Sequence, residues 1–438
     1  MRLQRVETTR DLPTLADAAQ IEAVLSAHLV FDDPAPVAVA FSGGGDSLAL
    51  LLAAKSWADA HGRPLLALTV DHGLRPESGA WSRFCAERAS ALGVEHRTLA
   101  WDGEKPPAGL SAAARDARHR LLAEAARAAG AAVILIGHTA DDRAEAAAMR
   151  ETGSTTPSPR LWSPSPVWPE GRGVFLLRPL LGLRRTALRA ALSARGEGWI
   201  EDPGNVDPRS ARARARMGIA GAPLDAEPAA ARPVAQVLNV EAGAAGDLLV
   251  PIDRLTDATD GLGLLGAALL CAAGAERPPR REPLARLMAR LATAEPFAAT
   301  LAGARVESDG RRARLVRDAG DSRRAPMGDM ALPGGRAVVW DGRFEIAVRS
   351  TGLRVGPLAG RAGRLPPTLR DALAGIAPPA RRALPVVIHA DDALTLPTLR
   401  PDPAVDVCAL GLARLIAARG GIIDEAALRR MAKSVRPY

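Results

Sequence analysis

Residues 37–50, VAVAFSGGGDSLAL, constrain this chain more than any other stretch. A short run of Val and Ala breaks into Ser42, Gly43, Gly44, Gly45, Asp46 and Ser47, and apolar residues resume at once with Leu48, Leu50 and Leu51. That order predicts a buried strand, a glycine turn and the start of a helix. Successive glycines allow positive φ and bring backbone N–H groups close to a ligand. At a helix N-terminus those donors face an anion, so the natural guest is a phosphate. The loop is not a Walker A sequence: no Gly-Lys-Ser/Thr follows, and the nearest lysine, Lys55, lies about two helical turns further along.

At 438 residues the chain exceeds one ordinary core, so roughly two or three domains are expected. It carries 57 Lys plus Arg against 49 Asp plus Glu, a net charge of +8 that attracts polyanions such as nucleic acid. Only Lys55, Lys105 and Lys433 are lysines. The arginine excess accompanies 41 Gly and 35 Pro, a bias that a GC-rich genome explains as readily as function. Cys85, Cys271 and Cys408 stand far apart with no CxxC pair, which argues against a zinc knuckle or a redox motif and suits a reducing compartment. The first residues lack an apolar signal core. The longest apolar run, 261–275, is 15 residues with several glycines, short of the ~20 that span a bilayer. A cytoplasmic protein with no membrane partner is expected.

Residues 64–70, PLLALTV, read as a second apolar strand. Strand, loop, helix and strand of this length make a βαβ unit, so the sheet is parallel and its ligand lies at the strands' carboxyl ends. Residues 94–99, 132–136 and 174–177 supply a third, fourth and fifth strand. A helix from about Ser111 sets Arg115 and Arg118 three apart on one face, which is either a solvated arginine face or a charged contact. Past the fourth strand come His138, Asp141, Asp142 and Glu145, where an α/β sheet keeps its site. Asp142 and Glu145 share a face at a helix start and can hold Mg²⁺ or an ammonium group; helix capping and dipole compensation are the structural alternative.

Residues 152–173, rich in Pro, Ser and Gly, read as a loop without regular structure: a lid, a nucleic-acid clamp built on Arg160, Trp162 and Trp168, or an insertion. Arg209, Arg212, Arg214 and Arg216 form either a phosphate-contact strip or a solvated face. An Ala/Pro-rich linker is expected at 221–233. Beyond it, 262–273 and 281–292 look helical, 300–316 and 335–348 look like hairpins, and 409–419 and 424–432 look helical again.

SGGGDS matches SGGxDS, the pyrophosphate loop (PP-loop) of enzymes that adenylate a substrate oxygen, a loop many such enzymes share. The ordered set is more specific. SGGGDS, VDHGLR at 70–75, AARDAR at 113–118, GHTADD at 137–142, RPLL at 178–181 and WIEDPGN at 199–205 with the arginines after it resemble the tRNA(Ile)-lysidine synthetase family. The resemblance implies an α/β fold: a five-stranded parallel sheet of the PP-loop, adenine-nucleotide α-hydrolase-like type over 21–220. A mainly helical tRNA-contacting domain at 234–320 and a small α+β domain at 325–438 would follow. It implies that ATP adenylates the C2 oxygen of the wobble cytidine, position 34, of a tRNA(Ile) with a CAU anticodon. The side-chain amine of free L-lysine then displaces AMP to give lysidine.

On that resemblance Ser42, Gly43, Gly44, Gly45, Asp46 and Ser47 bind ATP, and Asp46 holds Mg²⁺. Arg115 or Arg118 stabilises charge on the α-phosphate, and His138 orients the base or ATP. Asp142 and Glu145 bind and deprotonate the lysine ammonium, and Arg209, Arg212, Arg214 and Arg216 hold tRNA. The chain departs from the family pattern at Ala146 for Thr, at His119 for an aromatic, at Ala213 for Asn, and in the Trp162 and Trp168 loop, which replaces a glycine-rich segment. The alternatives are another PP-loop adenylating tRNA-modification enzyme, such as a thiolase or a glutamine-fed synthetase, or a non-catalytic nucleotide- or RNA-binding module. The retained Asp46, His138 and Asp142 argue against the last. Whether the chain pairs as a homodimer stays open.

Overall fold

A computed structural model of the chain describes residues 16–154, 156–203, 211–218, 239–321 and 328–435. The linker expected at 221–233 lies outside the described residues. The chain divides into two compact units, Met1–Ala230 with Ile423–Arg429, and Ala231–Ile422 with Arg430–Tyr438.

In chain order the first unit runs α1 (Ala16–His28), β1 (Val37–Ala40), α2 (Gly45–Ala60), β2 (Leu65–Asp71), α3 (Ser78–Ala91), β3 (Glu95–Ala100) and α4 (Leu110–Ala128). It continues with β4 (Val133–Leu135), α5 (Ala140–Glu151), β5 (Trp162–Pro164), β6 (Phe175–Leu177), α6 (Arg185–Ala194) and α7 (Ala211–Gly218). The sheet order is β3-β2-β1-β4-β6-β5. Five strands are parallel, as expected, and β5 runs antiparallel to β6 at the edge.

Period-2 alternation buries both faces of the sheet. Val37, Val39, Ala67, Val133 and Leu135 enter one core with Leu25 of α1, Leu48 and Leu51 of α2, and Leu188 and Leu192 of α6. Ala38, Leu66, Leu68, Ile134 and Leu176 enter the other with Leu122 and Ala126 of α4. The strand order reverses between β1 and β4, the crevice where open α/β sheets take ligands.

β5 corrects the expectation that 152–173 lacks regular structure. Ser163 pairs with Leu176, and the Trp162 ring stacks on Phe175 at 5.0 Å. Three residues ending in Pro164 carry too little alternation to be read as a strand, and an edge position is where proline is tolerated.

The second unit contains β7 (Glu241–Ala242), β8 (Leu248–Pro251), α8 (Ile252–Leu255), α9 (Gly261–Ala273), α10 (Arg281–Leu291), β9 (Pro296–Leu301), β10 (Ala304–Asp309) and β11 (Arg312–Arg317). β12 (Met330–Ala331), β13 (Val338–Trp340), β14 (Phe344–Val348), β15 (Arg354–Pro357), α11 (Pro367–Ala372) and α12 (Pro378–Arg381) follow. β16 (Pro385–Ile388), β17 (Leu394–Thr395), β18 (Val405–Ala409) and α13 (Gly411–Ala418) complete it.

The expected helices at 262–273 and 281–292 are α9 and α10, but they pack with a five-stranded antiparallel sheet, β7-β8-β11-β10-β9. The hairpin at Asp309 and Gly310 was legible; the two-residue β7 and the long-range pairing of Leu248 with Leu315 were not. The 15-residue apolar run forms α9, whose Leu264, Leu265 and Leu269 are fully buried in a core that includes Leu415 of α13. It is apolar all round because protein surrounds it. No described helix is long and apolar enough to cross a membrane.

The last helix, α14 (Glu425–Val435), begins in the first unit. Glu425 there is fully buried and accepts from the Val30 N–H at 2.9 Å, from buried Arg63 at 3.1 and 3.2 Å, and from Arg429 at 2.7 Å. Burial alone would raise its pKa; the bonds from Arg63 and the Val30 N–H outweigh it and hold the carboxyl below its ordinary value. A depressed folded pKa contributes stability that is present above the unfolded pKa, about 4.3, and is lost as pH falls through the folded value. Glu425→Gln is therefore expected to cost about 3–5 kcal/mol at neutral pH in urea unfolding, because Arg63 stays buried without its counter-charge. The gap to wild type should narrow as pH falls below about 4.3 and close once it passes the depressed folded value, where wild type too has lost the carboxylate.

Candidate active site

The loop after β1 is shaped by close packing. Gly43 has φ +79°, a conformation that favours glycine, and a Cβ there would press on Ile200 Cδ1 at 2.4 Å. The Ile200 N–H donates to the Gly43 carbonyl at 2.8 Å, which seats the WIEDP segment on the loop. Gly44 caps α2 in an extended conformation. Ser47 Oγ donates to the Gly44 carbonyl at 2.9 Å and accepts from the Ser42 N–H at 3.3 Å, fixing the curvature of the turn. The Ser42 and Ser47 hydroxyls are 3.2 Å apart. The first N–H groups of α2 and two hydroxyls thus gather at one helix N-terminus, the ingredients of an anion cradle.

The loop after β4 meets the first at a point of backbone contact. A Cβ on Gly137 would stand 3.2 Å from the Asp46 carbonyl oxygen. Thr139 then caps α5. Asp142 Oδ2 accepts from the Thr139 N–H at 2.8 Å and its hydroxyl at 2.9 Å, a capping box. Asp142 therefore does the structural work foreseen as its alternative and still lines the cleft, as does buried Glu145 one turn on.

Between the loops lies a cleft of roughly 510 Å³. Ser42, Gly44, Gly45, Asp46, Ser47, Arg118, His138, Asp142, Glu145 and Arg216 line it; Gly43 does not, being buried beneath Ile200. Arg118 is half-buried, whereas Arg115 is exposed and outside the lining. Of the arginine strip, Arg209 and the side chain of Arg212 lie outside the described residues, and Arg214 is exposed on α7. Arg216 turns into the cleft, with Nε 3.5 Å from Glu145 Oε1.

The residue the sequence did not single out is Arg185, at the start of α6. Its Nε donates to Asp46 Oδ2 at 2.9 Å, Nη1 to Glu145 Oε1 at 3.2 Å and Nη2 to Asp142 Oδ2 at 3.5 Å. One guanidinium thus ties together the carboxylates of both loops. Burial alone would lower its pKa, but the bond to Asp46 and the charges of Asp142 and Glu145 hold it well above the ordinary value. A signal existed: Arg184 and Arg185 sit at a helix N-terminus, where the dipole disfavours cations, so a specific acidic partner was required. His72 of the VDHGLR run also lines the cleft, with Nδ1 buried and unpartnered. Buried His119 is driven down to about 2 by burial and by Arg118 and Arg115, so it fills the usual aromatic position as a neutral ring.

Asp46 is held above its ordinary pKa, chiefly by burial, with Arg185 opposing. Its Oδ1 is buried with no hydrogen-bond partner. A hard oxygen left in that state fits Mg²⁺, which takes one or two carboxylates and completes its shell with substrate phosphates and water. Among the described residues no group of three or more His, Cys, Asp or Glu would hold a metal on protein ligands alone.

Known proteins are similar to this chain in sequence. A PP-loop domain model matches residues 14–222. A tRNA(Ile)-lysidine synthase of Caulobacter vibrioides is 49% identical over 372 residues, covering 85% of this chain and 88% of that protein. One of Hyphomonas neptunium is 40% identical over 301 residues, covering 62% and 78%. One of Rhizobium meliloti is 36% identical over 374 residues, covering 76% and 78%. Likeness at that level extends through both units, and with a pyrophosphate loop opposite a paired acidic helix start it has one meaning: the chain belongs to the tRNA(Ile)-lysidine synthase family.

Proposed function

We propose that the protein uses ATP to join free L-lysine to C2 of the wobble cytidine of a tRNA(Ile) with a CAU anticodon, releasing pyrophosphate and AMP in the cytoplasm. The observation that carries this reading is a single cleft in which the Ser42–Ser47 loop faces Asp142 and Glu145 across Arg185. The α2 N–H groups and the two serine hydroxyls receive the pyrophosphate. Asp46 would hold Mg²⁺, which when bound neutralises phosphate charge. Arg118 stabilises the α-phosphate as the cytidine C2 oxygen attacks and pyrophosphate leaves. Asp142 and Glu145 bind the lysine ammonium, which loses a proton before its nitrogen attacks C2 and AMP departs. Exposed Arg214, with Arg209 and Arg212, contacts tRNA phosphates.

A thiolation reading is disfavoured by the cysteines. Cys85 is the free thiol nearest the loop, and burial pushes it up to about 11, away from the thiolate that sulfur transfer needs. The test is incubation with ATP, Mg²⁺ and labelled lysine. Label is expected in tRNA(Ile) bearing CAU and not in tRNA(Met). No incorporation under conditions that support ATP binding would sink the proposal.

A further inference from the structure

The loop at 152–173 plays no part in that reaction scheme, yet it reaches His138 through one buried side chain. Arg178, first residue of the RPLL run after β6, is 6% exposed. Its Nη1 donates to the Arg160 carbonyl at 2.7 Å and to Ser163 Oγ of β5 at 3.0 Å, and its backbone N–H donates to the Leu161 carbonyl at 2.9 Å. Its Nε donates to His138 Nδ1 at 3.0 Å.

A guanidinium has donors and no acceptor, so the facing imidazole nitrogen must accept. A neutral imidazole that accepts at Nδ1 carries its proton on Nε2. An imidazolium has no acceptor and would place a second cation against a buried one. Arg115, Arg160 and Arg118 also lie near Arg178, with Asp142 opposing them. Burial and those arginines push Arg178 down to about 10, still cationic at neutral pH.

We propose that Arg178 is a positioning residue: anchored by β5 and the loop before it, it holds His138 as a neutral ring protonated on Nε2, so His138 serves the reactants as a hydrogen-bond donor and not as a proton acceptor. The proposal rests on the reading of this cleft as the lysidine-forming site. It gives β5 a role: Trp162 stacked on Phe175 fixes the strand that presents Ser163, and Ser163 helps fix the guanidinium. It also leaves the lysine proton to Asp142 and Glu145. A donor suits the orientation of a phosphate or of the cytidine oxygen, neither of which has a proton to give up.

The chain has 7 histidines, so ring-¹⁵N labelling gives a tractable long-range ¹H–¹⁵N spectrum, with His138 assigned by its loss in His138→Gln. The full-length wild type at neutral pH is expected to show His138 neutral and protonated on Nε2. Arg178→Gln should shift His138 to a mixture of tautomers and lower kcat by about 10–100-fold with a smaller change in KM for lysine, the scale seen for groups that orient a functional ligand. Ser163→Ala should move the same signals in the same direction by less, and it decides the matter where Arg178→Gln fails to fold. His138→Gln, whose amide nitrogen takes the place of Nε2, should retain more activity than His138→Asn. A wild-type ring protonated on Nδ1 or on both nitrogens overturns the proposal, as does a tautomer unmoved by Arg178→Gln. The tautomer is read in the resting protein, so its failure is distinguishable from a failure to transfer lysine.

Discussion

Asp46→Asn is expected to lower ATP-dependent pyrophosphate release by about 10²–10³-fold, the range for loss of one preorganised charge-stabilising group, while tRNA affinity stays unchanged. The asparagine keeps the shape of the side chain and one acceptor for Arg185. It removes the negative charge from the buried Oδ1, which has no other partner. The arginines proposed to contact tRNA are separate residues of α7 and the segment before it, so a filter-binding assay should not register the change. Parallel loss of tRNA binding would mean that Asp46 organises the whole cleft. Undiminished pyrophosphate release would remove it from the adenylation step.

The second large effect is expected at Arg185. Arg185→Ala leaves Asp46, Asp142 and Glu145 crowded in the cleft without the cation that bonds all three. The cost in urea unfolding at neutral pH should be about 3–5 kcal/mol, as for one partner removed from a buried ionic cluster, and lysidine formation should fall below detection. The pH dependence carries the sign. Asp46 already sits above its ordinary value through burial, and loss of Arg185, which opposes that rise, raises it further. A raised folded pKa means stability that is present in acid and lost as pH rises through that value. The deficit of Arg185→Ala should therefore be smallest near pH 4 and widen toward pH 8, the same direction as the Glu425→Gln gap. A deficit constant across that range would assign Arg185 to packing.

Much of the first unit was legible because its signals are contiguous. The central strands are apolar runs of three to seven residues, each followed by a helix pattern, and burial on both faces leaves such runs few other folds. β5 was not legible: a three-residue edge strand owes its existence to a partner strand and a stacked aromatic rather than to its own pattern. The sheet of the second unit was half legible for a related reason. Its hairpins are local, whereas β8 finds β11 across three helices, α8 to α10, and two strands.

The same division runs through the site. SGGGDS by itself determined a phosphate cradle at a helix N-terminus, since turn, donors and helix come from adjacent residues. GHTADD likewise determined an acidic helix start beyond a buried strand. Only the tertiary structure decided that Arg185, 139 residues from Asp46, would join the two, that Arg216 would leave the arginine strip for Glu145, and that Arg178 would face His138. Those contacts depend on strand order β2-β1-β4-β6, which sets β1 beside β4 and brings α6 over both loops. Local chemistry follows from neighbouring residues in the chain; a buried ion pair requires its partner, and which of the many arginines supplies it is settled by packing.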